Sequence, residues 1–392
     1  MSLPASLLAA AGYSPPPLWR VLTKSGYFLG LCGAIGATLT YAAAVRPALR
    51  SGVGDAADVD TLRRRAARFL AWSGVVLLVA GYFQLAARVA RAGKGMPFGS
   101  ALAPARIADY LNAPAKHGAW VAQGTITLVQ NLVLVATAAV LISLFAPRAG
   151  RRVDTLALIA LPLSVATTLV GAVPTKAFAD LDDLLDTLLV QVHIVSGTVW
   201  VGGLALLAAL ATAGRRLGDG AGVLWADLWR RFGLVALICV GAVTISGLWL
   251  TWKSVGSVPQ LWTTTYGVFL LVKITLVLGM ITAGGFNQFW LMPRIARARR
   301  ADATSTLLHL TLRHFPRVVW VEVALGAAVL GVLPFLSGSA RSEAAPDSPA
   351  PTATGGILAL GLVLVLTLAA SLVATAKVSD TLARREPGLA TA

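Results

Sequence analysis

Charge is scarce in this 392-residue sequence, with only 13% Asp, Glu, Lys and Arg, and the residues that usually carry metal or thiol chemistry are scarcer: four histidines, four methionines and two cysteines. A soluble domain carries about 25% charged residues. Here hydrophobic residues reach 57%, so a water-soluble globular class is excluded and an all-α polytopic membrane bundle is expected. Cys32 and Cys239 lie singly in different apolar runs without CxxC spacing, which excludes a disulfide framework and a thiolate metal site. The Gly-rich stretch GLCGAIG has no following Lys-Ser and no strand before it, so it reads as a close helix contact rather than a phosphate loop. No Ser/His/Asp set or zinc-peptidase motif is present, and no catalytic residue is assigned. The opening MSLPASLLAAAGYSPPPLWR lacks a basic n-region, so the first apolar run is expected to stay in the mature protein.

What is abundant is apolar sequence. Runs of roughly 20 residues, enough to cross about 30 Å of hydrocarbon as helix, occur nine times: near 25–45, 69–90, 119–145, 153–173, 187–213, 232–252, 266–290, 317–338 and 357–376. Pro162 inside the fourth predicts a kink. The net charge of +16 would suggest nucleic acid if it were gathered on a water-exposed domain, but it is scattered through short segments between apolar runs, so no nucleic-acid partner is expected. It encodes topology instead. Arg46, Arg50, Arg63, Arg64, Arg65 and Arg68 lie in one loop, Arg148, Arg151 and Arg152 in a second, Arg215, Arg216, Arg230 and Arg231 in a third, and Arg294, Arg297, Arg299, Arg300, Arg313 and Arg317 in a fourth. These alternate loops are placed in the cytoplasm by the positive-inside rule. The intervening loops hold fewer cations, and one is acidic through Asp180, Asp182, Asp183 and Asp186. An outside N-terminus, an inside C-terminus and contact with membrane lipid follow. The chain divides into a region of four helices over 1–186, a four-helix core over 187–341, and a Pro/Ser/Ala-rich linker, a plain ninth helix and a tail over 342–392.

Ionisable groups within spans cost about 2.5–3.5 kcal/mol each on insertion scales and are functional candidates by default. Three stand out: His193 in the fifth span, Lys273 in the seventh and Glu322 in the eighth. Ser196 and Trp200 follow His193 at i+3 and i+7, on one helical face beside Gly197, Gly202 and Gly203. Imidazole suits copper and titrates near neutral pH, so His193 reads as a soft metal ligand or proton-handling group; the alternative is a neutral histidine bonded to a neighbouring helix. The third span places His117 at its outer mouth, then Gln123, Thr127, Gln130 and Asn131 as a polar stripe. That stripe either lines a path or holds helices together. Lys273 is expected to reach outward toward Asp183 or Asp186, and Glu322 to accept hydrogen bonds from Asn287 or Arg294. His309 and His314 lie among arginines on an amphipathic stretch suited to the membrane surface. Met280 and Met292 are too few to form a methionine ladder.

In order, the pieces His193 with Trp200-Val201-Gly202-Gly203, Gly247 after Arg230-Arg231-Phe232, Tyr266-Gly267 with Lys273, Asn287 with Pro293-Arg294, and Glu322 resemble the bacterial copper-resistance protein D (CopD) family over roughly residues 187–341. The resemblance implies a multi-pass inner-membrane protein that moves copper inward from the periplasm, often beside a periplasmic copper-binding protein of the copper-resistance protein C type. On that reading His193 and His117 are the metal-handling residues, while Ser196, Trp200, Gln123, Thr127, Gln130, Asn131, Lys273, Asn287 and Glu322 line the path or tune its charge. Poverty in methionine and cysteine departs from a high-affinity site, though permeation needs weak ones. Two other readings stay open: a membrane redox protein holding haem b between His117 and His193, and an accessory factor that loads copper into a respiratory oxidase.

Overall fold

The computed structural model describes residues 15–52, 54–93, 95–146, 152–214, 217–218, 221–291, 293–294, 315–345 and 350–384. Among these residues there are helices and no strands, as a bilayer requires of a chain that must satisfy its backbone polar groups internally. Among the described residues nine helices are long and apolar enough to cross a membrane. They are α1 (Leu18–Leu49), α2 (Ala56–Ala92), α3 (Gln123–Phe145), α4 (Val153–Gly171), α5 (Leu181–Ala211), α6 (Ala221–Ser254), α7 (Thr265–Phe286), α8 (Arg317–Phe335) and α9 (Gly355–Thr375). Each coincides with one of the nine predicted runs, and α4 continues through Pro162 without a break. The chain is a multi-pass membrane protein.

Two helices outrun their apolar windows. The 37 residues of α2 extend about 55 Å at 1.5 Å per residue, well beyond about 30 Å of hydrocarbon. Its first turns carry Arg63, Arg64, Arg65 and Arg68, and those of α6 carry Arg230 and Arg231, so both helices continue past the apolar layer on the arginine-bearing face. Of the other residues singled out above, Arg148, Arg151, Arg215, Arg216, Arg297, Arg299, Arg300, Arg313, Met292, His309 and His314 lie outside the described residues.

Contacts between helix ends fix the alternation. Lys24 Nζ, near the start of α1, donates to the Leu333 carbonyl at the end of α8 at 2.8 Å. On the opposite face Tyr41 Oη, near the end of α1, donates to Asp154 at the start of α4 at 2.6 Å. There Arg50 also pairs with Asp154 at 2.6 Å, and Arg65 Nε of α2 donates to the Ala209 carbonyl near the end of α5 at 2.9 Å. One face is therefore basic, and the face where α5 begins is acidic.

The centre of the bundle is the crossing of α1 with α5. Residues Leu31 to Thr38 of α1 are all buried, and π-helical turns at Cys32–Ala37 and Tyr41–Val45 shift its faces to suit several neighbours. A Cβ on Gly36 would overlap the Thr198 carbonyl, and one on Gly202 would overlap the Cys32 carbonyl. Only glycine lets these backbones touch, as GLCGAIG suggested. Helix α2 packs on α1 and α3, α3 on α4, α5 on α6 and α8, and α7 on α8. Helix α9 touches α6 and the turn Asn287–Leu291 and is otherwise largely uncovered.

Candidate functional site

His193 sits three turns into α5, twelve residues beyond Leu181, or about 18 Å along the helix axis. It faces two other helices. Its Nδ1 lies 3.0 Å from Ser246 Oγ of α6, and its Nε2 lies 3.4 Å from Lys273 Nζ of α7. Gly247 lies against the ring, where a Cβ would stand in ordinary contact, 3.4 Å from His193 Cε1. Ser246 is eight residues from the end of α6 and Lys273 eight from the start of α7, so three helices deliver these groups to one level. The site is polar, half-enclosed and set toward the acidic face.

The hydrogen bonds order the imidazole. Ser246 Oγ donates to the Ala242 carbonyl at 2.6 Å, so it accepts from Nδ1–H of His193, and Nε2 keeps its lone pair. That lone pair points at the Lys273 ammonium. A metal-binding histidine has the same arrangement, one nitrogen free for the cation and the other fixed by a second residue. Here the Lys273 side chain occupies that free position. The expected reach of Lys273 toward Asp183 or Asp186 is corrected: those carboxylates are engaged elsewhere, and the imidazole is nearer.

Below Lys273, the same face of α7 carries Met280, and Asn287 follows just past the end of α7, at successive intervals of seven residues, about two helical turns each. Met280 is 1% exposed and Asn287 7% exposed. Asn287 Nδ2 donates to Glu322 Oε1 of α8 at 2.9 Å, one of the two partners expected for Glu322, which is itself buried. The other amide atom, Asn287 Oδ1, is buried and has no hydrogen-bond partner among the described residues. The line from Lys273 to Asn287 covers fourteen residues, about 21 Å of the membrane. It begins beside His193 and ends at the basic face.

The other predicted residues are placed differently. Ser196 is half-buried and makes no side-chain hydrogen bond among the described residues, while Trp200 is 4% exposed within the core where α5 meets its neighbours. Both share a face with His193, yet the ring turns to α6 and α7. His117 is exposed in the loop before α3 and shares no hydrogen bond with His193. In the stripe of α3, Thr127 Oγ1 donates to the Gln123 carbonyl at 2.9 Å and Asn131 Nδ2 to the Thr127 carbonyl at 2.8 Å. Gln130 is buried, donates to the Thr167 carbonyl of α4 at 2.9 Å and accepts from Arg88 of α2 at 2.7 Å. The stripe thus ties α2, α3 and α4 together. Gln123, exposed at its top, lines a cleft of about 510 Å³ with Lys176, Asp183, Asp186 and Thr187. Thr187 is six residues, about 9 Å, above His193 on α5.

The acidic turn is largely committed to structure. Asp180 caps α5 by accepting from the Asp183 backbone N–H at 3.0 Å. Lys253 of α6 pairs with Asp182 and, at 3.1 Å, with Asp186, and stands 5.6 Å from the ring centres of both Trp249 and Trp252. Asp182 also accepts from the Ala353 backbone N–H at 3.0 Å, which fixes the segment leading into α9. Among the described residues no group of three or more His, Cys, Asp and Glu is placed so that it could hold a metal ion. Ser246 and Met280 carry parts of the site that composition did not flag. The spacing of seven that links Met280 to Lys273 and Asn287 was readable, but only with Lys273 already taken as the anchor.

Residues 226–336 match the family described as Copper resistance protein D. This stretch takes in most of α6 and all of α7 and α8, hence Ser246, Lys273, Met280, Asn287 and Glu322; His193 precedes it. The chain is 29% identical over 292 residues to the copper transport protein CutJ of Bacillus subtilis (strain 168), an alignment covering 74% of this chain and 48% of that protein. It therefore spans about half the length of this curated relative. No solved structure matches.

Proposed function

We propose, from the premise that α6 to α8 form a copper-resistance-D region, that this chain carries copper across the bacterial inner membrane, inward from the periplasm along the buried face of α7. The arginine-bearing face is assigned to the cytoplasm by the positive-inside rule, which puts the cleft at Gln123 and Thr187 outside. Copper enters there, delivered free or by a periplasmic copper-binding protein of the copper-resistance protein C type. It displaces the Lys273 ammonium from His193 Nε2, passes the Met280 thioether, and leaves past Asn287 Oδ1 and Glu322. Imidazole and thioether suit Cu(I), so the monovalent ion is the assigned cargo. Each station offers one or two donors, which holds a cation weakly enough to release it.

The observation that carries this reading is the Lys273 ammonium facing an ordered imidazole lone pair inside the bundle. A merely structural histidine needs no tethered cation, and burying two basic groups side by side is costly unless the site serves cations. The haem b reading finds His117 exposed in a loop, and neither comparison names a haem protein. The oxidase-loading reading shares the same copper site and differs in what receives the ion.

The test is Cu(I) uptake into proteoliposomes by the purified protein and by His193→Ala. Uptake should fall at least about tenfold, the loss expected from removing about 1.4 kcal/mol of ligand interaction at a transit site. Wild-type uptake by the variant would overturn the assignment.

A further inference from the structure

We infer that the molecule holds one phospholipid with an anionic headgroup against α2, at a site separate from the copper path. The face of α2 that carries Arg64, Arg65 and Arg68 borders a pocket of about 450 Å³, floored by Phe69, Trp72 and Ala209. These arginines have different fixed partners. Arg64 pairs with Asp60 at 2.9 Å, and Arg65 is pinned to Ala209 and Thr212 at the end of α5. Arg68 is exposed and has no ion-pair or hydrogen-bond partner among the described residues. Three guanidiniums thus converge on one pocket with a single carboxylate between them, a setting that favours a phosphate able to take several N–H donors at once.

The same Trp72 also lines a second cavity, of about 510 Å³, whose walls are almost wholly apolar: Leu22, Val75, Val79 and Phe83 are among them. The two cavities therefore meet at one indole, which lines both. From Trp72 to Phe83 is eleven residues, or about 16 Å at 1.5 Å per residue, close to half of a hydrocarbon core about 30 Å thick. That is the reach of an acyl chain in one leaflet. Trp72 is 61% exposed and packs edge-on against Phe145 at 5.4 Å, the place of an indole at the boundary of headgroup and tail. A cationic pocket joined by an interfacial tryptophan to a groove one leaflet deep fits a two-part ligand, anionic at one end and apolar at the other. A free phosphate would use the pocket and leave the groove without a role. Basic residues that merely set topology need no groove.

The test compares the full-length protein with Arg68→Gln and Val79→Trp in detergent micelles, each supplied with phosphatidylglycerol, phosphatidylcholine or inorganic phosphate. Lipid retained through size exclusion is read by native mass spectrometry, and thermal stability is read in parallel. Wild type should retain one phosphatidylglycerol in preference to phosphatidylcholine. Arg68→Gln should lower that retention about fivefold, the effect of one cation near an anionic headgroup. Val79→Trp, which fills the groove and leaves every charge in place, should lower retention of both lipids. Equal retention of the two lipids by wild type, or stabilisation by inorganic phosphate matching that by phosphatidylglycerol, would overturn the inference. So would wild-type retention by Val79→Trp, which still reads the groove if Arg68→Gln fails to fold.

Discussion

The two ends of helix α5 are built to opposite specifications. Toward the basic face, from Thr198 to Ala211, it is mostly buried, and at Gly202 its backbone touches that of α1 so closely that a Cβ would overlap the Cys32 carbonyl. Five residues earlier, a Cβ on Gly197 would meet nothing within 4 Å, and one turn above it the His193 ring rests on two side chains rather than in a packed core. The same residue type serves a lock in one place and space in the other. The lock holds the helix still, and the space lies where the proposed exchange of an ion with Lys273 would take place.

Substitutions along α5 and its partners should break this contrast in a graded way. Gly202→Ala puts backbone against backbone and should cost about 3 kcal/mol or more of stability, measured by denaturant unfolding in micelles; tolerance there would show that the crossing is not a lock. Lys253→Met leaves Asp182 and Asp186 without their cation at the acidic end of α5 and should cost about 2 kcal/mol, measured the same way, with Lys253→Arg restoring most of it. Ser246→Ala removes the acceptor that orders His193 and should cost about 1 kcal/mol; Cu(I) uptake should fall more than stability alone explains, because the lone pair is no longer aimed. Gly197→Ala should change unfolding by no more than about 0.5 kcal/mol. Gly197→Leu, filling the space, should slow uptake while leaving the unfolding midpoint near wild type.

The bundle was legible in the sequence because a bilayer imposes one simple code, a long apolar run per crossing, and all nine runs became helices. The early starts of α2 and α6 were not, since hydropathy marks the hydrocarbon slab and not the helix that continues beyond it. Glu322 with Asn287 could be anticipated because the end of α7 and the start of α8 meet at one face. Lys273 could not be paired correctly: its partner lies 80 residues away on another helix, and of the carboxylates that would have drawn it outward Asp186 is engaged by Lys253, a residue at the edge of its span that raised no flag, and Asp183 accepts from the Ala179 backbone N–H. The polar stripe of α3 was open to two readings, a path or a tie between helices, because periodicity reveals a face without revealing its partners. In the fold Gln130 spends both ends of its amide on α2 and α4. Met280 was passed over because one methionine among apolar residues carries no pattern by itself.

Under the proposed function, Lys273 stands in for the transported cation at His193 Nε2. Competitive Cu(I) titration of the purified protein tests it directly, comparing wild type with Lys273→Met and with the double variant Lys273→Met/His193→Ala. Removing the tethered ammonium should tighten Cu(I) binding about tenfold, a gain of about 1.4 kcal/mol, and removing His193 as well should abolish that gain. Unchanged affinity in Lys273→Met, or a gain that survives the loss of His193, would show that Lys273 does not hold the cation's place.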